Sequence, residues 1–216
     1  MMTSCHVLNK PKMIFRNGIQ CSRSQSTSSK KSIRAPIETK FWKKVENGRI
    51  QRPIFIAATR QHVGKTSCSL AVISGLQKRF GKVGFIKPVG QQHVPVESEN
   101  LGSSLRVDKD VCLMREHFKL HHIDYQYLSP VIIPRGYTKD FIDGKISHDT
   151  QMNDILHSFK AINEVSDVMM CEGTGHCAVG SIVGLNNAKV ASLLGADMVL
   201  VANGGLGKYN SLSCNR

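Results

Sequence analysis

No stretch of this sequence reaches the roughly 18 consecutive apolar residues that a membrane-spanning helix requires, which excludes a transmembrane protein. No two of the seven cysteines form a CxxC pair, so neither a zinc ribbon nor a disulfide-dense secreted scaffold fits. The cysteines read as reduced, mostly buried thiols. Acid is missing from the N-terminal end: the first acidic residue is Glu38, while Lys10, Lys12, Arg16, Arg23, Lys30, Lys31 and Arg34 precede it. An apolar signal core is missing there too. The longest apolar run is Met13-Ile14-Phe15, which excludes a secretory signal peptide.

The 216 residues, 41% hydrophobic and 21% charged, suit one soluble domain of ordinary size plus a tail. Residues 1–37, rich in Ser and Arg and ending in the run Ser22 to Lys31, have transit-peptide composition. Mitochondrial import is the expectation, with a retained cytosolic arm or a plastid as the alternatives. The formal charge is +13, but with those seven basic residues set aside, twenty-two basic side chains face sixteen acidic ones, a surplus of +6. An enzyme for polyanionic substrates carries such a surplus as readily as an RNA binder. Neither a nucleic acid nor a membrane is expected as partner. Residues 38–52, with Trp42 beside Phe41, are charged and aperiodic, and read as a linker or an edge element. The folded domain is expected over 53–207.

Short apolar runs and helical patterns then alternate. Ile54 to Ala58 reads as a strand opening into a polar loop, followed by a helix with Leu70, Ile73, Leu76 and Phe80 at helical spacing and Gly81 as its stop. Val83 to Ile86 is a second strand closed by Lys87-Pro88. Between Val89 and about Lys145 the pattern supports a helix over Asp108–Phe118 and no strand assignment. An amphipathic helix with Met152, Ile155, Leu156, Phe159 and Ile162, capped by Ser147 or Asp149, leads into the apolar strand Val168 to Cys171. A short helix from about Asn187, closed by Gly195, precedes a last apolar strand from Met198 to Ala202. Apolar strands separated by amphipathic helices predict a doubly wound α/β fold, a parallel sheet covered on both faces in three α/β/α layers. Ligands in such sheets sit beyond the strands' carboxyl ends, which here carry Thr59 to Thr66, Lys87, Glu172 and Asn203.

The loop from Ala58 to Thr66 is a P-loop variant. Gly64, Lys65 and Thr66 match the end of GxxxxGK[ST], while Thr59 replaces the first glycine. Such a loop surrounds phosphates with backbone N–H groups at a helix N-terminus, its lysine reaching the outer phosphates. Its place between an apolar strand and an amphipathic helix is the context the motif requires.

With these features in view, residues 54–207 resemble the dethiobiotin synthetase and cobyrinic acid a,c-diamide synthase group of P-loop proteins, including the similar N-terminal domain of some phosphate acetyltransferases. The matching segments are Thr59 with Val63-Gly64-Lys65-Thr66, then Lys87-Pro88-Val89, Asp110 with Asp108 as its near neighbour, Glu172-Gly173-Thr174-Gly175, and Gly204-Gly205-Leu206-Gly207. The resemblance implies a P-loop NTPase-like fold and ATP with Mg²⁺ as cofactors. It implies nucleotide contacts from Thr59, His62, Val63, Gly64, Lys65, Thr66 and Ser67, and metal ligation by Thr66, Asp110 and Glu172. Lys65 and Lys87 become the catalytic cations that offset phosphate charge during transfer. It further implies that the γ-phosphate activates a small-molecule carboxylate or carbamate for attack by an amine, and that the protein is a homodimer. The alternative reading is a non-catalytic nucleotide-sensing module.

The family domain continues past its Gly-Gly-x-Gly turn, whereas Arg216 follows Gly207 by nine residues. Residues 208–216 therefore read as an atypical tail and the domain as C-terminally incomplete.

Other residues point less clearly to chemistry. His117, His121 and His122 include the i, i+4 spacing of a helical metal pair without an evident third ligand. Cys171 and Cys177 flank the Glu-Gly turn without an activating relay and read as buried thiols. Arg135 is a candidate clamp for an anionic substrate. His62 reads as a substrate contact or a solvated loop residue, and Met152, Met169 and Met170 as core.

Overall fold

The computed structural model describes residues 41–44, 50–97, 104–175 and 180–203. The presequence 1–37, the tail 208–216, the turn Gly204 to Gly207 and Cys177 lie outside the described residues. Two short strands come first, β1 (Lys43–Lys44) paired antiparallel with β2 (Ile50–Gln51). Within the segment read as a linker or an edge element, β1 and β2 form a two-stranded sheet of their own. Phe41 is buried edge-to-face on Phe159 with ring centroids 4.8 Å apart, and Trp42 Nε1 donates to Gly195 O at 2.9 Å.

The centre is a four-stranded sheet made of β3 (Ile54–Ala58), β4 (Val83–Ile86), β9 (Val168–Glu172) and β10 (Asp197–Val201). Its order is β10-β3-β9-β4 and every pair is parallel. Alternate residues of a strand face opposite sides of the sheet. In β4 and β9 every residue is buried, and in β3 all but the first, so both faces are covered there. The α/β architecture expected from the sequence is the one observed. The outermost strand departs from that expectation. Met198, Val199 and Leu200 are 41%, 45% and 59% exposed, so the described residues leave the faces of β10 largely uncovered, whereas β4 at the opposite end of the sheet is buried throughout.

Two helices follow the sequence pattern with small shifts. Helix α1 (Lys65–Gln77) buries Ile73 and lays Leu70 and Leu76 against the core. It stops at Gln77 with Lys78 as cap, four residues before the glycine expected to end it, because the Arg79 and Phe80 amides turn back onto Leu76 O. Helix α5 (His148–Glu164) buries Ile155, Phe159 and Ile162 and is capped by Ser147, whose side chain accepts from Thr150 N.

The region without a strand assignment contains four strands. A parallel pair, β5 (Val89–Gly90) and β8 (Val131–Ile132), extends from the end of β4, and β6 (His93–Glu97) and β7 (Ser104–Asp108) form an antiparallel ribbon. Helix α2 (Lys109–His117) begins at the last residue of that ribbon, with Asp108 as its N-cap. The short helices α3 (Tyr125–Leu128), α4 (Tyr137–Ile142) and α6 (Asn187–Leu193) complete the domain. Among the described residues, no helix is long and apolar enough to cross a membrane.

Candidate functional site

The loop between β3 and α1 must reverse direction within a few residues while leaving its amides free. Gly64 does this at φ +91°, a left-handed conformation in which a Cβ would be strained, and no side chain caps the helix that starts at Lys65. The first turn of α1 is thus left without a side-chain cap, and Gly64, Lys65, Thr66 and Ser67 line a cleft of about 430 Å³. His62 also lies in the left-handed region, at φ 60°, and its side chain is exposed at the cleft wall.

Of the residues expected from the sequence, His62, Gly64, Lys65, Thr66, Ser67, Lys87 and Asp110 line this one cleft. Three do not. Thr59 spends its amide on Val201 O at 3.1 Å, at the sheet rather than at the cleft, and Val63 is half-buried outside the lining. Glu172 is fully buried beneath the cleft floor.

Glu172 organises that floor. It is the last residue of β9, and its Oε1 accepts from Lys65 Nζ at 2.6 Å and lies 4.0 Å from Lys87 Nζ. Both lysines are themselves buried. Lys87 stands where β4 gives way to Lys87-Pro88, and it donates to Asp108 Oδ1 at 2.7 Å and to Asp110 Oδ2. Burial alone would favour the neutral amine, but Asp108 and Asp110 more than reverse this and hold the Lys87 pKa above its ordinary value. Two ammoniums and three carboxylates thus form one network.

The two aspartates divide the work. Asp108 is 1% exposed, and its oxygens accept from Lys87, from Asp110 N at 3.0 Å, and from the amides of Gln91 and Gln92 at 3.0 and 3.4 Å. It is saturated, and acts as a joint between β5, α2 and Lys87. Asp110 is less buried and reaches the cleft itself. Sequence reasoning weighed these two residues only as alternatives and gave Asp108 no role of its own. It also missed Gln91, Gln92 and Asn187. Asn187 Oδ1 accepts from Thr174 N at 2.9 Å and pins the Glu-Gly turn, and a Cβ on Gly173 would stand 2.6 Å from that oxygen.

A Mg²⁺ ion fits this donor set. The ion prefers oxygen ligands, keeps several waters, and needs only one or two protein oxygens beside phosphates. Thr66 and Asp110 line the cleft, and Glu172 Oε2 is a buried oxygen without a hydrogen-bond partner among the described residues. The surplus of carboxylate over ammonium also calls for a cation to accompany phosphate. No three His, Cys, Asp or Glu residues converge on a metal by themselves among the described residues, so His117, His121 and His122 form no such site. Cys171 is buried, and burial pushes its thiol far up, away from the reactive thiolate. Cys68, Cys112 and Cys171 are all free.

The sequence that builds this site is similar to sequences of known proteins. The profile of the AAA domain family matches residues 52–215. The chain belongs to that family. The AAA domain is similar to a phosphate acetyltransferase of Nitrosomonas europaea, 33% identical over 69% of this chain and 19% of the relative. A phosphate acetyltransferase of Nitratidesulfovibrio vulgaris is 27% identical over 70% of this chain and 20% of its own. An ATP-dependent dethiobiotin synthetase of Methanocaldococcus jannaschii is 28% identical over 73% of this chain and 68% of the relative. The AAA domain thus spans about a fifth of the acetyltransferases it matches and about two thirds of the synthetase. It is a P-loop nucleotide-binding domain.

Proposed function

We propose that this AAA domain binds ATP with Mg²⁺ and transfers the γ-phosphoryl group to the carboxylate or carbamate of a small molecule, the first half of an ATP-dependent carbon–nitrogen ligation. One observation carries the reading: two buried lysines from different strand ends, Lys65 and Lys87, converge on Glu172 and open into the phosphate-loop cleft. A single lysine suffices to hold phosphate. A second, anchored by Asp108 and Asp110, provides positive charge where the transferred group would develop charge toward its acceptor. The relative named an ATP-dependent dethiobiotin synthetase supports the same chemistry.

The residues divide the task as follows. The α1 amides and Lys65 bind and orient the phosphates, and Lys87 neutralises charge on the acceptor side. Thr66, Asp110 and Glu172 would hold Mg²⁺, which when bound supplies charge stabilisation of the phosphates. A carboxylate oxygen of the acceptor forms a bond to the γ-phosphorus as the bond to the bridging oxygen breaks. The electron pair leaves with ADP, and an acyl phosphate remains for an amine to attack.

A second reading, nucleotide sensing without turnover, is favoured by the Nitrosomonas acetyltransferase, in which the similar region is 19% of the chain. Calorimetric titration with Mg·ATP, with Lys65→Ala as control, tests the binding common to both. Trapping acyl phosphate as hydroxamate with hydroxylamine across a carboxylate panel separates them. Wild type is expected to bind and to give hydroxamate, and Glu172→Gln to give none. Binding unaffected by Lys65→Ala overturns both readings, and binding without hydroxamate leaves the sensor.

A further inference from the structure

Beside the phosphate cleft lies a second one of about 640 Å³, walled by Gln91, Gln92 and His93 on one side and by Ile133, Pro134 and Arg135 on the other. Its walls continue the parallel pair β5 and β8, which end at Gly90 and Ile132, and Ile133 N donates to Gly90 O at 2.9 Å. Both walls therefore leave their strands at carboxyl ends, where parallel strands present ligand sites. The two clefts share Gln91 and Gln92. The amides of those residues are held by the Asp108 carboxylate that also holds Lys87, so the dividing wall is fixed to the acceptor-side lysine.

The chemistry of the lining selects one kind of ligand. It contains a guanidinium, two carboxamides and an imidazole, and no acid. Arg135 is exposed and pairs with no carboxylate among the described residues. His93 Nδ1 is buried and has no hydrogen-bond partner among them. An unpaired guanidinium presents a planar fork that matches a carboxylate with two parallel hydrogen bonds, and the carboxamides can donate further.

We propose that this second cleft is the acceptor site, and that the acceptor is a small dicarboxylate. One carboxylate is anchored by Arg135 and does not react. The other lies across the Gln91–Gln92 wall, beside Lys87, where its oxygen attacks the γ-phosphorus and ADP departs with the bridging-bond electrons. This assignment rests on the phosphoryl-transfer reading above. Arg135 sets specificity for a second negative charge, and monocarboxylates bind less well.

The test is a titration of the ¹⁵N-labelled full chain with succinate, glutarate, adipate and acetate at constant ionic strength. The side-chain signals of His93 and Arg135 are followed, and Mg·ATP binding to the same wild-type protein is measured by calorimetry. At least one dicarboxylate is expected to move both signals, with affinity weaker by about tenfold or more in Arg135→Gln and by less in Arg135→Lys, which keeps the charge without the fork. Spectral dispersion verifies that each variant is folded. If Mg·ATP binds but no dicarboxylate moves these signals, or if Arg135→Gln titrates as wild type, the acceptor cleft is overturned and the phosphate site stands. If dicarboxylates bind through Arg135 while Mg·ATP does not bind, the phosphoryl-transfer reading falls and the anion cleft stands.

Discussion

Removing either partner of the Lys65–Glu172 pair should destabilise the domain unequally. The pair is 2.6 Å apart, with side chains 8% and 0% exposed, so solvent screens it little. Breaking a buried ion pair from one side costs about 3–5 kcal/mol, mostly because the remaining charge is stranded. In Lys65→Met the stranded group is Glu172, which cannot reach water and keeps only Lys87 at 4.0 Å, so the full cost of about 3–5 kcal/mol is expected. In Glu172→Gln the stranded group is Lys65, which lines the cleft and can either turn toward solvent or keep donating to the amide oxygen. About 1–3 kcal/mol is expected there. The double variant should cost less than the sum of the singles, with a coupling of about 1–3 kcal/mol. Urea unfolding at neutral pH measures all four proteins. Calorimetry provides the functional axis: Lys65→Met should weaken nucleotide binding about ten- to hundredfold through the lost charged hydrogen bonds, whereas Glu172→Gln should retain it. Equal single costs, or additivity, would refute a buried and coupled pair.

Asp108→Asn should destabilise by about 1–3 kcal/mol in the same urea assay, since an N–H would face backbone donors while Lys87 keeps Asp110; a cost near zero would deny Asp108 its role as a joint. At Gly84 in β4 a Cβ would collide with the Met169 sulfur and come within 2.8 Å of Ser166 Oγ, so Gly84→Ala should cost about 1–3 kcal/mol by thermal unfolding. Burial and nearby Lys82 hold the His122 pKa below its ordinary 6.5, so the unfolded chain binds the proton more readily. The contribution of His122 is therefore present above that pH and lost as pH falls through it, and His122→Gln should flatten the slope of stability against pH below about 6.5.

The elements legible in the sequence are those whose burial is two-sided or strongly periodic. The runs of β3, β4 and β9 and the stripe on α5 state their environment directly. The β6–β7 ribbon was not legible because Pro95 interrupts a run whose residues are mostly exposed, so neither alternation nor hydrophobicity marks it. The apolar run of β10 misled in the other direction, since apolar composition does not state whether the faces of a strand are covered: among the described residues β4, also at an end of the sheet order, is buried throughout and β10 is not. At the site, the phosphate loop and Lys87 declared themselves by motif. That Lys65 is held by a carboxylate 107 residues further along follows only from the parallel pairing of β3 with β9. The separate duties of Asp108 and Asp110, two residues apart, depend on which one caps α2, a matter of backbone geometry rather than of residue type.

The strand order also sets a schedule for the chain's birth. Strand β3, which carries the phosphate loop at its end, finds its neighbours at Met170 and Asp197, in the last quarter of the sequence. During synthesis from the N-terminus, Ile54 to Ala58 must remain an unpaired, aggregation-prone apolar segment until β9 and then β10 emerge. Local elements such as α1 can form early, but the loop acquires its shape only when the sheet closes around β3. Folding should therefore be slow for a domain of this size, rich in long-range contacts, and dependent on protection of the nascent chain.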